Sequence, residues 1–391
     1  MTRATVNSES VLDAALPAVC DVAIVGAGPA GTALARRLAL SGCRVVLLER
    51  SSFDTPRVGE SLAPSVQPLL TDLGVWAQFV ELQPLPSFGT RSAWGASTAE
   101  QHSHLLTPYL NGWHVDRLAF DRMMAQSAVR AGARLQIETR VVRCTQAANG
   151  GFVLHIAHGA EWSRVSELQA DFVVDASGRR TATARWFGAR HAVFDRLVGV
   201  AAQFNDTSAE SHCYTLVETT PDGWWYSAPV TRAHSMVMLM TDGDLARQQG
   251  TAAMPQWRIA LQHGAHTDTR IGGATLRWGP RIFSAVSHRL IRDPADSTHW
   301  LAVGDAALAV DPISGSGVVR ALRTALAAAS TVLKTLSGDR IAQANYEAAR
   351  DEECTAYLVE RAAYYDIEQR WPEAPFWQRR ALRFGQLHER R

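Results

Sequence analysis

Lysine is all but missing from this chain. Of the 39 Lys and Arg side chains in 391 residues, Lys334 is the one lysine, so chemistry that needs an amine has a single place to come from. Cysteine is sparse as well. Cys20, Cys43, Cys144, Cys213 and Cys354 are odd in number and scattered, with no CxxC pair, which argues against a disulfide framework and a cysteine zinc site. An excess of charge of one sign is lacking too: 38 acids leave a net charge of +1, with no basic footprint for nucleic acid and no acidic tail. No apolar run reaches the roughly 18 residues of a membrane span, and no basic start followed by an apolar stretch marks a signal peptide. The expectation is a soluble, cytoplasmic protein. His102 and His104 have no acid or cysteine at ligand spacing beside them, so no metal is expected.

What is present begins with DVAIVGAGPAGTALARRLALSGCRVVLLER at 21–50. Val22 to Val25 reads as a short buried strand, and Gly26-x-Gly28-x-x-Gly31 turns it sharply into a helix. Gly26 permits the turn, Gly28 lets backbone approach a pyrophosphate, and Gly31 lets helix pack on strand. Pro29 and Ala30 open that helix, whose N-terminus offers free N–H groups and a positive dipole end to phosphate. Val45 to Leu48 is the second strand; Glu49 at its end is placed to bond ribose hydroxyls, with Arg50 beside it. Asp171 to Gly178 reads as a strand ending in a small-residue turn that can pass close to phosphate and ribose, which adds Asp175 and Gly178. Val142, on a strand at 134–144, joins the same expected set.

Almost three hundred residues downstream, GDAALAVDPISGSGV at 304–318 supplies a strand end at Gly304-Asp305, a loop fixed by Pro312, and Gly315, Ser316 and Gly317 opening a helix. Asp305 can accept from a ribityl hydroxyl. The helix start can stabilise negative charge on a reduced flavin ring. The two cradles together predict one bound FAD.

Helical periodicity covers 29–41, about 60–73, 116–131, about 315–336 and 341 to about 368. Strand-like runs cover 134–144, 151–158 and 171–175, with a hairpin signal at 149–151 and a mostly β texture from about 190 to 290. The fold expected is α/β: a discontinuous Rossmann-like FAD-binding domain (1–80, 116–190 and 286–340), substrate-domain strands at 81–115, a β-rich substrate domain at 191–285, and C-terminal helices at 341–391. Residues 1–19 read as a loose lead-in. No second glycine-rich nucleotide motif is present, so a dedicated NAD(P)H domain is not expected. Electrons would come from NAD(P)H bound transiently or from a separate flavin reductase.

These motifs resemble those of the para-hydroxybenzoate-hydroxylase-type FAD superfamily. Pro56-Arg57-Val58-Gly59-Glu60-Ser61-Leu62-Ala63-Pro64 and Asp222-Gly223-Trp224-Trp225-Tyr226-Ser227-Ala228-Pro229 are similar to stretches of the flavin-dependent tryptophan halogenase group, as is the aromatic tail from Tyr364 to Trp377. The resemblance implies that Arg57, Glu60, Ser61 and Arg117 lie near the flavin. It also carries departures. Where halogenases have a lysine after the VGE motif this chain has Pro68, and where they have a glutamate before the downstream helix it has Ser314. Tyr226 and Ala228 replace two fixed positions of the paired-tryptophan signature.

The closer resemblance is to non-halogenating flavoprotein maturases of tryptophylquinone-cofactor oxidases. That implies hydroxylation of an indole-like ring through a flavin C4a-hydroperoxide. The substrate is then an aromatic small molecule or a tryptophan of a partner protein. Indole can attack such an oxygen donor without prior deprotonation, so the site must position substrate and exclude water. Glu60, Pro312 and Ser316 are the candidate catalytic residues, and Trp224 and Tyr226 the substrate-facing ones. Alternation sends Trp225 to the opposite side of the strand. Rival readings are a halogenase, a prenyl-chain reductase of the geranylgeranyl type, and a non-catalytic flavoprotein chaperone.

Overall fold

Val22, Ala23 and Ile24 are wholly buried, because the strand that carries them, Val19–Val25, has a parallel neighbour on each side and helices over its face, an environment that selects an unbroken apolar run. The computed structural model describes residues 16–148, 150–159, 162–206, 208, 213–293 and 299–381. Most of the lead-in, Asn149 of the hairpin signal and the last ten residues lie outside them. Val19–Val25 pairs in parallel with Val45–Leu48 on one side and with Arg164–Asp175 on the other. Arg134–Gln136 and Trp300–Ala302 extend the parallel part. The first half of Arg164–Asp175 leaves it to pair antiparallel with Phe152–His158, which pairs in turn with Thr139–Gln146.

Helices Pro29–Leu40, Arg117–Arg130 and Gly317–Leu336 cover one face of this sheet and close its main core around Ile24, Leu34, Phe120 and Leu322. Asp116 caps the second of them, accepting from the Leu118 and Ala119 N–H groups; an acid at that position satisfies otherwise orphaned donors.

A second seven-stranded sheet carries, in order, Thr275–Ser284, Leu197–Asn205, His234–Asp242, Gly223–Thr231, Tyr214–Thr220, Gly89–Ala93 and Glu100–Ser103. The stretch 81–115 thus supplies two strands to the sheet built otherwise from 197–284. One face buries Trp224, Met236, Met238 and Met240 with Trp94, Tyr365, Phe376 and Trp377, so the C-terminal segment folds back over it. The other buries Trp225, Val237 and Leu239 against Trp257. Among the described residues no helix is long and apolar enough to cross a membrane.

Four local expectations change. The periodicity at 60–73 is not one helix. Ser61–Leu62 is a short strand on Trp113–His114, and the helix begins only at Val66, since Pro64 disfavours helical backbone at the residue before it. The stretch 134–144 is two strands, broken where Glu138 takes a positive φ of 49°. The β texture of 190–290 is interrupted by three short helices between 243 and 271, whose buried Trp257, Ala260 and Leu261 follow helical spacing. Finally, Arg190–Val193 joins a separate three-stranded sheet with His288–Ile291 and Leu308–Ala309.

Candidate functional site

A cavity of about 1060 Å³ lies between the two large sheets, at the top of the range for small-molecule sites. The glycine cradle forms its floor. Gly26 has φ +110°, and a Cβ there would meet the Ala176 carbonyl oxygen at 2.4 Å. At Gly31 a Cβ would strike the Gly26 carbonyl oxygen at 1.9 Å; this residue packs helix on turn and does not line the cavity. Gly28 is different: a Cβ there meets nothing within 4 Å. Its backbone, with Pro29 and Ala30, faces open cavity, and no side chain caps the helix it begins. The free N–H groups and the positive end of the helix therefore point at whatever occupies that space.

Glu49 braces this turn from the second strand. Its Oε2 accepts from Ala27 N at 2.9 Å and its Oε1 from Ser51 N and Oγ at 3.0 and 2.6 Å, while the side chain still borders the cavity. Asp175 does not reach the cavity. It is fully buried, and its two oxygens take five donors from Ser177, Thr183 and Ala184, so its carboxylate shapes the turn and leaves Ser177 and Gly178 to line the wall. Val142 also lies elsewhere. It is the extra residue of a β-bulge and is 41% exposed, and the bulge brings Val141 to the cavity instead.

The electrostatics suit a polyanion. Seven arginines and three acids line the cavity. Asp305 pairs with Arg179 at 3.3 Å, and Arg57 and Arg117 share the fully buried Asp121. Arg50, Arg140 and Arg180 have no carboxylate partner among the described residues. The Arg50 guanidinium is pulled below its ordinary value, first by burial and then by Arg180. Unbalanced positive charge beside an open glycine cradle fits the pyrophosphate of FAD. Asp121 and Arg179 to Arg185 were not singled out from the sequence; the i,i+4 spacing of Arg117 and Asp121 was the available signal.

The loop at 311–317 forms the far wall. Pro312, Gly315 and Gly317 border the cavity, and the 20-residue helix from Gly317 has no side-chain cap. Ser316 is half-buried, bonds Ser314 Oγ at 2.7 Å and does not line the cavity. The loop hangs on Asp311, a buried acid that sequence reasoning missed. Asp311 accepts from Ile313 N, from Tyr365 and from Arg361, while its own N–H donates to the Tyr357 hydroxyl.

Opposite stands an aromatic and thioether wall: Trp224, Tyr226, Met238, Met240 and Phe283 all border the cavity, and Trp225 points away to Trp257. Trp224 Nε1 donates to the Tyr365 hydroxyl at 3.1 Å. At the foot of this wall is Glu60, 1% exposed. The Tyr226 hydroxyl donates to its Oε2 at 3.3 Å, and its Oε1 has no partner among the described residues. Burial raises the Glu60 carboxyl above the usual range, against the lowering effect of Arg117. Ser61, expected at the cofactor, borders the cavity, and its hydroxyl bonds Tyr226, Thr215 and His114. Pro68 does not line the cavity, and neither does Lys334.

A family model described as an FAD binding domain matches residues 19–360. The chain is 30% identical to LodB of Marinomonas mediterranea, named as an FAD-dependent oxidoreductase, over 92% of this chain and 96% of that one. Among solved structures, the myxobacterial chondrochloren halogenase CndH superposes with TM-score 0.84 at 23% identity, covering 96% of this chain and 90% of its own. The peptidyl tryptophan dihydroxylase QhpG, described as essential for tryptophylquinone cofactor biogenesis, superposes with TM-score 0.70 at 22% identity, covering 93% and 79%.

Proposed function

Because the chain belongs to the FAD-binding-domain family and is an FAD-dependent oxidoreductase, we propose that it is a monooxygenase that hydroxylates an electron-rich, indole-like ring, either free or as a tryptophan of a partner protein. The observation that carries this reading is the composition of the cavity: an aromatic wall of Trp224, Tyr226 and Phe283 beside a buried carboxyl, with no lysine on its lining. Where the halogenase resemblance places a lysine this chain has Pro68, and no lysine lines the cavity.

The peptidyl substrate of QhpG supports a protein-borne tryptophan. On this reading the cradle at Gly26 to Ala30 and the unpaired arginines hold the pyrophosphate, and Glu49 and Asp305 hold sugar hydroxyls. The loop at Pro312 to Gly317 faces the pyrimidine edge of the ring. FAD, once reduced by NAD(P)H or by a separate reductase, supplies the oxygen-activating chemistry. The chain's own task is to seat the ring against the wall and keep water out. The second sheet then acts as the substrate portion, covering the flavin with the strands at 89–103 and 197–284.

Mass spectrometry of indole compounds and candidate tryptophan-bearing proteins, after incubation with reduced FAD and ¹⁸O₂, tests the proposal. Incorporation of one or two labelled oxygens supports it. A halogenase reading draws support from the halogenase fold neighbour and would give chloride- or bromide-dependent isotope doublets instead. No oxygen consumption under any condition would point to a chaperone role.

A further inference from the structure

The hydroxyls and ring behind Glu60 take one consistent orientation when Glu60 is ionised. Tyr226 donates to Glu60 Oε2 at 3.3 Å, which uses its only proton, so in the 2.9 Å contact with Ser61 the phenol oxygen must accept. Ser61 thereby uses its own proton. It can only accept from Thr215 Oγ1 at 2.9 Å and from His114 Nδ1 at 3.2 Å. His114 is therefore the Nδ1–H tautomer, and its buried Nε2, which has no partner among the described residues, is a bare lone pair. Every proton in the chain points toward Glu60. His114 and Glu60 are at most 1% exposed and Thr215 is 7% exposed, so this is a low-dielectric network in which aligned donors reinforce one another.

We propose that Tyr226, Ser61, Thr215 and His114 are positioning residues forming one directed donor chain, which holds Glu60 as a carboxylate so that its unpartnered Oε1 takes the proton lost from the substrate ring carbon. The inference rests on the monooxygenase reading. In overall balance the reduced flavin FADH₂, dioxygen and Ar–H give FAD, Ar–OH and water. When the new C–O bond has formed, the ring carbon's C–H bond breaks. Its electron pair restores the aromatic ring, and its proton goes to Glu60 Oε1. That proton later leaves with the second oxygen atom as water, restoring the carboxylate.

The charged surroundings are consistent with a chain built to favour the anion. Arg117, on the helix packed against the VGE loop, lowers the Glu60 carboxyl electrostatically. Arg270, from the helix Ala265–Ile271, donates to the Ser227 and Tyr214 carbonyls and presents positive charge to both Tyr226 and His114. Burial first, and then the positive charge of Arg270, holds His114 down at about 3. It stays neutral and acts only as a donor. Burial is the largest influence on Glu60 and raises its carboxyl; the anion is held only where the loop backbone, Arg117 and the Tyr226 donor together outweigh it.

The test is an infrared titration of Glu60 in the FAD-loaded full chain without substrate, from about pH 5 to about pH 10, with Glu60→Gln assigning the carboxyl band. Expected is an ionised Glu60 in the wild type near neutral pH. Its midpoint should rise by about one unit or more in Tyr226→Phe and His114→Phe, stay near wild type in His114→Asn, whose amide can replace the Nδ1–H donor, and rise less in the near-isosteric Thr215→Val. An unchanged midpoint in Tyr226→Phe and Thr215→Val would overturn the chain, as would a Glu60 protonated throughout in the wild type. In turnover, Glu60→Gln should cut hydroxylated product more than about tenfold while oxygen consumption continues, and a ring-deuterium isotope effect should appear; coupled product formation without it removes Glu60 as the base. If the wild type hydroxylates no aromatic, the monooxygenase reading fails, and the titration still decides whether the chain governs Glu60.

Discussion

The Tyr365 hydroxyl donates to Asp311 Oδ2 at 2.7 Å and accepts from Trp224 Nε1 at 3.1 Å. One phenol on the C-terminal helix Ala342–Asp366 thus ties the loop that ends at the Gly317 helix to the aromatic wall of the second sheet. Arg361, one turn earlier, reaches Asp311 at 3.4 Å and Asp195 at 3.1 Å, so the two walls of the cavity share a buried anchor.

Replacing Tyr365 with phenylalanine should therefore act on both walls at once. It leaves a buried carboxylate oxygen short of a donor and an indole N–H short of an acceptor, a loss of about 2 kcal/mol in stability. FAD affinity should fall with it, because the 312–317 loop loses its tether. Thermal unfolding of the apoprotein and a flavin fluorescence titration measure the two effects separately.

The glycines of the cradle should separate binding from folding. Gly28→Val adds a side chain where a Cβ meets nothing within 4 Å, so the apoprotein keeps its melting temperature and FAD affinity falls by at least about tenfold. Gly26→Ala meets backbone at 2.4 Å in a left-handed conformation and should destabilise the fold itself by about 2 kcal/mol or more. Full FAD affinity in Gly28→Val would remove the phosphate assignment.

Reduced FAD, oxygen and bromide supplied with free tryptophan should yield no bromotryptophan, since Pro68 and Ser314 stand where the halogenase resemblance places lysine and glutamate. The isotope doublet of bromine makes the assay unambiguous. Robust bromination would show that the missing side chains are dispensable.

Acid should unfold the protein through histidines that are buried neutral. His114 is depressed to about 3 and His288 to about 4, both mainly by burial, against an ordinary value near 6.5 in the unfolded chain. Below that value the unfolded state binds protons that the folded state refuses. The stability these groups leave intact above about pH 6.5 is thus lost as pH falls toward their folded values, by up to about 1.4 kcal/mol per unit for each. Denaturant midpoints between about pH 7 and pH 4 should show the slope, and His288→Asn should lessen it.

The sequence by itself determined the cofactor cradle, because its signals are local. A strand, a glycine turn, a helix and a terminal acid sit within thirty residues, and the packing of Gly31 on the Gly26 carbonyl is local, although the turn at Gly26 is also crowded by Ala176 from the end of a distant strand. Alternation along one strand was equally legible, sending Trp224 and Tyr226 to the cavity and Trp225 to Trp257. Tertiary structure alone decided how the polar groups spend their hydrogen bonds. Asp175 has the right position in the chain for a cofactor contact, yet its oxygens are taken by protein donors, and a bulge exchanges Val142 for Val141. Asp311, Tyr365 and the Glu60 chain join residues 53 to 166 positions apart. Such partners carry no periodic signal, since a buried donor and acceptor are matched by where the sheets and the returning C-terminal helix bring them, not by spacing along the backbone.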